Sequence, residues 1–224
     1  VLRALQVLGR GNCFDDVAQL SYMSESTACD SFHTFCYLQE HHKLGFTGAV
    51  GATDVTHISW AFAPHSLRRS YTGKEGFPSI VYQATVTHSR YAIGITDGFP
   101  GAQNDKTIIR HDLTVQTVRE SEMEYKLKKM NGEDEICHDA YLIVDGGYHK
   151  VRCVQWACLI SPSKHCMDEW ELLLSKRLES VCKDVECFFG VLKGRFRILK
   201  LPILFREKRI GNVFFTCCIL HNML

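Results

Sequence analysis

The sequence predicts an α/β protein: a mixed sheet flanked by helices, preceded by a small all-α module. Three observations carry this expectation. Near residue 48 the apolar pattern changes from helical spacing to extended, β-type runs. Three extended runs then follow closely, and a fourth comes only after a helix, the order of an antiparallel meander joined to a parallel strand. A long amphipathic helix and a final apolar helix close the chain. At 224 residues there is room for one α/β domain and a small module, but not for two large domains.

Residues 1–40 read as three helices. Leu2, Leu5, Val7 and Leu8 form one stripe, broken by Gly9-Arg10-Gly11-Asn12. Phe14, Val17, Ala18 and Leu20 begin a second helix. Ser24 offers an N-cap to a third, through Thr27, Ala28, Phe32 and Phe35. This is the helix-turn-helix pattern, which would turn the start of the third helix to a DNA groove. Many small bundles that bind nothing share it. Residues 41–47, HHKLGFT, read as a linker to the main domain at 48–224.

In that domain Gly48–Asp54 reads as a strand of small residues ending at Asp54. Ser79–Thr87 and Tyr91–Thr96 read as two strands of a hairpin turning at His88-Ser89-Arg90. A Gly/Pro turn follows at residues 98–101, then a helix start over 104–113 and a charged, exposed helix and loop over 115–136. Tyr141–Val144 is a short apolar run that stops at Asp145-Gly146-Gly147, as a buried strand stops at a site loop. From about Glu169 to Phe196, Val185, Phe188, Leu192 and Phe196 recur at helical spacing. Pro202 breaks this pattern, and Ile210–Leu224 reads as a final, largely buried helix. The ribonuclease H-like fold has this order of elements.

Composition is that of an ordinary globular protein, 46% hydrophobic and 23% charged. No apolar run approaches the roughly 18 residues of a membrane span, so no membrane association is expected. The opening residues lack the form of a secretory signal, and a start at Val1 without an initiator Met is expected either of a fragment or of a trimmed gene model. The 11 cysteines are therefore expected to be reduced. Cys29, His33 and Cys36 could neighbour one another on a helix, although buried cysteine more commonly acts as a small hydrophobe. Net charge is only +1, yet Glu186–Arg209 carries seven bases against two acids. That is either a phosphate-binding region or a solvated helix face.

The acids suggest chemistry by their joint placement. Asp54 and Asp145 end strands that would be neighbours, Glu186 lies on a later helix, and Asp105 stands near the start of the first helix after the meander. Each has an ordinary alternative: a turn residue for Asp54 and Asp145, a helix-start acid for Asp105, a solvated helix residue for Glu186. Together they could converge on one edge of the sheet. Carboxylates so gathered repel one another unless a cation neutralises them, and hard oxygen ligands suit Mg²⁺ or Mn²⁺. Two such ions, about 4 Å apart, are the equipment of phosphodiester cleavage.

Several strings point the same way: GAVGATDVTHI from Gly48, GFPSIVYQA from Gly76, PGAQND from Pro100, YLIVDGGY from Tyr141, VECFFGVLKGRFRIL from Val185 and CILHNML from Cys218. In these strings and their order the chain resembles PIF/Harbinger transposases and the nucleases derived from them, over nearly four-fifths of its length. The resemblance implies a divalent-metal-dependent DNA endonuclease or transposase. Matched position by position, Asp54, Asp145 and Glu186 would be catalytic, and with Asp105 they would bind the metal. Lys193 would contact a DNA phosphate, and Arg195 and Arg197 of the same string are the further DNA-binding candidates. A Myb-like accessory protein, a homo-oligomer and nuclear location are implied as well.

The sequence departs from the family pattern at three places. Val55 follows the first acid where glycine is usual. Cys182 stands four residues before Glu186 where arginine is common. Gly73-Lys74-Glu75-Gly76 replaces an Asn-Arg-Lys-Gly-type run. These touch DNA positioning, not the four acids. Two further readings stay open: a domesticated or decayed DNA-binding protein that keeps the fold without catalysis, and an unrelated metal phosphohydrolase with the same strand order.

Overall fold

The computed structural model describes residues 37–120, 125–128, 134–137, 140–151 and 158–224. The predicted helix-turn-helix over 1–40 lies almost entirely outside these residues, as do Cys29, His33 and Cys36. The chain divides into two compact units, Val1–Val50 with Ser121–Ala140, and Gly51–Glu120 with Tyr141–Leu224.

In the first unit, residues 37–43 are helical, and the turns that follow use Gly45 and Gly48 at φ of 85° and 89°. This unit also holds a two-stranded antiparallel hairpin, β5 (Tyr125–Lys128) with β6 (Asp134–Cys137), in register from Tyr125 opposite Cys137 to Lys128 opposite Asp134. The charge of this stretch suggested an exposed helix and loop. Only its start is helical: α3 (Leu113–Glu120) ends before the hairpin. Tyr-Lys-Leu-Lys has the two-residue alternation of a strand, which the density of charge conceals.

The second unit is built on a six-stranded mixed sheet. Its order is β3 (Ala92–Ile95), β2 (Ser79–Val86), β1 (Ala49–Ser59), β7 (Tyr141–Val144), β8 (Leu159–Ile160), with β4 (Phe99–Pro100) also pairing β2. Strands β1, β2 and β3 form the antiparallel meander, and β7 pairs β8 in parallel. The strands expected over Ser79–Thr87, Tyr91–Thr96 and Tyr141–Val144 are present. The two-residue strands β4 and β8 are too short to leave a periodic signal. The hairpin between β2 and β3 turns through Arg90, held at φ 67° while its N–H donates to the Thr87 carbonyl.

One expectation is corrected. β1 does not end at Asp54 but continues to Ser59, so Asp54 lies mid-strand opposite Ala84. The cause is a grip on both sides of the extension. Val55 to Ser59 pair with Gln83 to Ser79 of β2. Beyond Pro202 the chain returns along the same stretch, where Ile203 N–H donates to Ser59 O at 2.9 Å and Ala61 N–H to Ile203 O at 3.1 Å. Polar Thr56, His57 and Ser59 obscure this half of the strand in the sequence.

All eight residues of β2 are buried, because helices cover both faces of the sheet. On one face Tyr82 stacks on Phe214 of α5 (Glu207–Met223), with ring centroids 4.2 Å apart. On the other, the Gln83 amide donates to Asp112, whose Oδ1 accepts the Thr114 N–H at 2.7 Å at the start of α3. Alternation along the strand puts these neighbours on opposite faces. The long helix α4 (Glu169–Arg195) begins at Asp168, whose carboxylate accepts the Glu171 N–H at 2.7 Å. It buries Leu178, Val181, Val185, Phe188 and Leu192, a stripe at helical spacing. The remaining helices of this unit are short: α1 (Arg68–Tyr71) and α2 (Asp105–Ile108). Among the described residues no helix is long and apolar enough to cross a membrane.

Candidate functional site

Four separate elements carry the four acids. Asp54 is half-buried in the middle of β1. Asp145 directly follows β7, the strand beside β1 in the sheet. Its Oδ1 accepts the Gly147 N–H at 2.9 Å, an Asx-type turn that orients the carboxylate. A Cβ at Gly147 would itself meet Oδ1 at 2.9 Å, so the bare backbone is what permits this close approach. Asp105 is the first residue of α2, placed there by Asn104, whose side chain accepts the Lys106 N–H at 2.9 Å. Lys74 Nζ stands 3.7 Å from Asp105. Glu186 is exposed on α4.

Lys193 lies seven residues beyond Glu186, about two helical turns. Its Nζ donates to the His57 carbonyl at 3.1 Å, which ties α4 to β1 three residues past Asp54. Burial pushes its ammonium pKa down, so this hydrogen bond takes place in a partly dry setting. Arg195 is exposed, and its guanidinium lies 3.3 Å from His221 Nδ1. An arginine only donates and a carbonyl only accepts, so His221 accepts at Nδ1 and donates from Nε2 to Arg90 O at 3.1 Å. Arg197 is exposed in the 3₁₀ turn Arg197–Leu199. Of the three basic residues read as DNA contacts, two therefore face solvent, and Lys193 is committed to the backbone of β1.

Electrostatics join the acids. The Asp54 carboxyl is pushed up from 3.8 to about 7, foremost by burial. A hydrogen bond from Val55 N–H opposes this, and the charges of Asp145, Asp105 and Glu186 push it further up. All three other acids thus lie within charge–charge range of Asp54. Among the described residues no group of three or more His, Cys, Asp or Glu side chains is already arranged to hold a metal ion. The carboxylates share a neighbourhood without forming a closed cage. Carboxylate oxygens are ligands of the kind a hard divalent cation takes, and a cation would offset the part of the Asp54 shift that these charges add to burial.

Three residues beside the acids were not singled out from sequence for what they do there. Tyr148, in the 3₁₀ turn Gly146–Val151, is 3% exposed, and its hydroxyl has no hydrogen-bond partner among the described residues. His57 accepts or donates at Nδ1 to Ser79 Oγ at 3.0 Å, while its buried Nε2 has no partner among the described residues. Burial lowers its pKa and keeps the ring neutral. Cys182 is one turn before Glu186. Burial, with Asp145, Asp54 and Glu186, pushes its thiol up to about 12. Cys187 is exposed. Iodoacetamide on the native protein at pH 8 is expected to label Cys187 and spare Cys182, as read by peptide mass spectrometry. Labelling of Cys182 at a comparable rate would contradict the burial described.

The sequence profile of the family described as plant transposon protein matches residues 21–224. The chain belongs to the plant transposon protein family. The match takes in β1 to α5, and with them every acid named above. A curated relative, Protein ALP1-like from Arabidopsis thaliana, is 24% identical over 250 aligned residues, covering 99% of this chain. The chain spans 59% of the length of that relative. No solved structure matches the chain. Within this plant transposon protein, the sequence signal that could have found Tyr148 was its place three residues after Asp145 in YLIVDGGY. Its burial and lack of a partner needed the fold.

Proposed function

We propose that this plant transposon protein is a DDE-type DNA nuclease or transposase of the PIF/Harbinger kind, on a ribonuclease H-like sheet. Asp54, Asp145 and Glu186, with Asp105, would hold Mg²⁺ or Mn²⁺. The observation that carries this reading is the Asp54 carboxyl, raised to about 7 by burial and by three acids delivered from three other elements. A fold that gathers negative charge onto a half-buried carboxylate calls for a cation there. When bound, such an ion supplies an activated water and neutralises the leaving oxygen of a phosphodiester.

The rest of the work falls to the chain. β1 and the turn after β7 present Asp54 and Asp145 from adjacent strands. Lys193 fastens α4 against β1 and so sets where Glu186 stands. Arg195 and Arg197, exposed beyond Lys193, offer positive charge for DNA phosphates on the same side of the sequence as Glu186. Lys193 has further N–H donors beyond the one given to His57 and could share them with a phosphate. Family membership supports the reading, as does the relative named ALP1-like. Nuclear location, a Myb-like accessory protein and assembly as a homo-oligomer are proposed on the same resemblance.

A second reading is a non-catalytic DNA-binding protein that retains this fold. Cys182, a neutral thiol where a cation would offset Glu186, favours it. Purified protein with Mg²⁺ or Mn²⁺, given supercoiled plasmid and duplexes carrying the element's ends, separates the two. Metal-dependent nicking that falls about 1,000-fold in Glu186→Ala is expected, the scale of losing one essential charged group. A folded protein that binds DNA and never cuts it would establish the second reading.

A further inference from the structure

Apolar side chains exposed singly are ordinary, but a concave cluster of them with a charged rim marks a binding surface. One such cluster lies where the chain beyond β1 meets the segment returning after Pro202. A hollow of about 570 Å³ there is walled by Trp60, Phe62, Leu67, Leu204 and Phe205. Phe62 and Leu204 are 65% and 59% exposed. The floor is firmly built: buried Trp60 donates its indole N–H to Phe205 O at 2.9 Å and stands edge-on to the Tyr71 ring, with centroids 4.9 Å apart. A second hollow of about 490 Å³ shares the Leu204-Phe205-Arg206 wall and extends past Lys208 and Arg209. The two form one groove, apolar at one end and basic at the other. Arg206, Lys208 and Arg209 are exposed, and none is in an ion pair among the described residues. Glu207, the acid of the lining, accepts the Tyr71 hydroxyl at 2.6 Å. Arg206 is also the N-cap of α5 and makes no side-chain cap bond, so free first-turn N–H groups add to the positive end.

The first turns of α4 carry the opposite set. Met167, Trp170, Leu173 and Leu174 are exposed, Trp170 to 79%. Trp170, Leu173 and Leu174, three and four residues apart, share one face of the helix. Asp168, Glu169 and Glu171 stand among them, also exposed. Asp168 and Glu171 each accept an N–H of their own turn at 2.7 Å, which leaves Glu169 as the acid to meet a base elsewhere. None of these residues lines the groove of the same copy.

We propose that the start of α4 of one copy of this chain docks into the groove of a second copy, head to tail. Trp170 and Leu173 would fill the apolar hollow, and Glu169 would face Arg206 and Arg209. Burial of the aromatic anchor supplies affinity, and the opposed charges supply orientation. Nucleic acid fits the groove less well, because phosphates find donors only at its basic end and none on Phe62, Leu67 or Leu204. The two surfaces differ, so the contact leaves a groove free on one copy and a helix free on the other. Assembly then continues past a dimer or closes into a ring. The contact gives surfaces to the homo-oligomer proposed above and rests on that reading, not on cleavage.

Sedimentation equilibrium of the whole chain, free of metal and DNA, tests this. The unaltered protein is expected to assemble reversibly below about 100 μM, beyond dimers as concentration rises. Leu204→Asp and Trp170→Lys, both at exposed positions, are each expected to keep the melting temperature and to raise the dissociation constant at least about tenfold. Phe62→Ser and Leu173→Ser replace them should either fail to fold. The decisive sample is an equal mixture of the groove variant and the helix variant. One intact groove and one intact helix then remain between two copies, so the mixture is expected to form heterodimers and nothing larger. Variants that assemble like the unaltered protein overturn the proposal and leave the homo-oligomer standing. A mixture that stays monomeric does the same, because the two surfaces then do not meet each other. An unaltered protein that is monomeric throughout, up to about 100 μM, overturns both.

Discussion

Asp54→Asn is expected to make the metal-free protein more stable at pH 8 and to abolish its stabilisation by Mn²⁺. The carboxyl of Asp54 titrates at about 7 in the fold against 3.8 unperturbed, because burial and three neighbouring acids oppose its charge. The sign follows from linkage. Below pH 3.8 the group is protonated folded or unfolded, and its contribution is fully present. Between pH 4 and 7 only the folded state holds the proton, so stability declines as pH rises and the loss is complete above 7. The gap corresponds to about 4 kcal/mol at 1.36 kcal/mol per pH unit. Asparagine has the same shape and no charge, but it still buries an amide, so about 1–3 kcal/mol is expected to return at pH 8. In a chain of this size that is a rise of roughly 3–10 °C.

At pH 5 the folded carboxyl is still protonated but the unfolded one is already ionised, so the difference should be smaller than at pH 8 and vanish only below about pH 3.8. Thermal scans of both proteins at pH 5 and pH 8, with and without Mn²⁺, supply the check. A variant less stable than the unaltered protein at pH 8, or equally stabilised at both pH values, would remove the electrostatic account. The same substitution is expected to eliminate cleavage. On the proposed function the residue would trade stability for activity: the charge that the folded chain carries at a cost is the charge a cation would use.

Phe188→Ala is expected to destabilise the second unit by about 3–5 kcal/mol, the largest structural effect among the helix residues near the acids. Phe188 is fully buried. Its ring lies edge-on to His221 of α5 with centroids 5.0 Å apart and an interplanar angle of 89°, and it sits 5.4 Å from the Phe189 ring. The cavity would loosen α4 against α5 and free His221, which joins Arg90 to Arg195. Phe188→Leu should recover more than half of the loss, and Leu172→Ala, at a site 45% exposed on the same helix, should stay within about 0.5 kcal/mol. Urea unfolding gives these values directly; a Phe188→Ala loss under about 1 kcal/mol would show that the seam is not what holds α4.

The meander, the strand before Asp145, the long helix bearing Glu186 and the apolar final helix were all legible in the order of residues. Each is a local matter: β-branched runs, a glycine pair and spacings of three and four report backbone periodicity without help from distant contacts. The length of β1 was not legible. Thr56, His57 and Ser59 look like a loop, and only pairing with β2 and the returning segment at Ile203 makes them a strand. The hairpin over 125–137 was missed for a similar reason, since charge outweighed alternation.

The four acids were visible as residues, and their motifs sufficed to nominate them. That nomination came from type and order alone. Electrostatic proximity is a property of three-dimensional distance, so only the fold could bring Asp145, Asp105 and Glu186 close enough to raise Asp54. The fold also decided what no motif states: that Lys193 is bound to the backbone of β1, and that the Tyr148 hydroxyl is buried with no hydrogen-bond partner among the described residues. Sequence determines which groups exist and which local structure carries them, whereas burial and the distances between charges arise only when remote segments pack together.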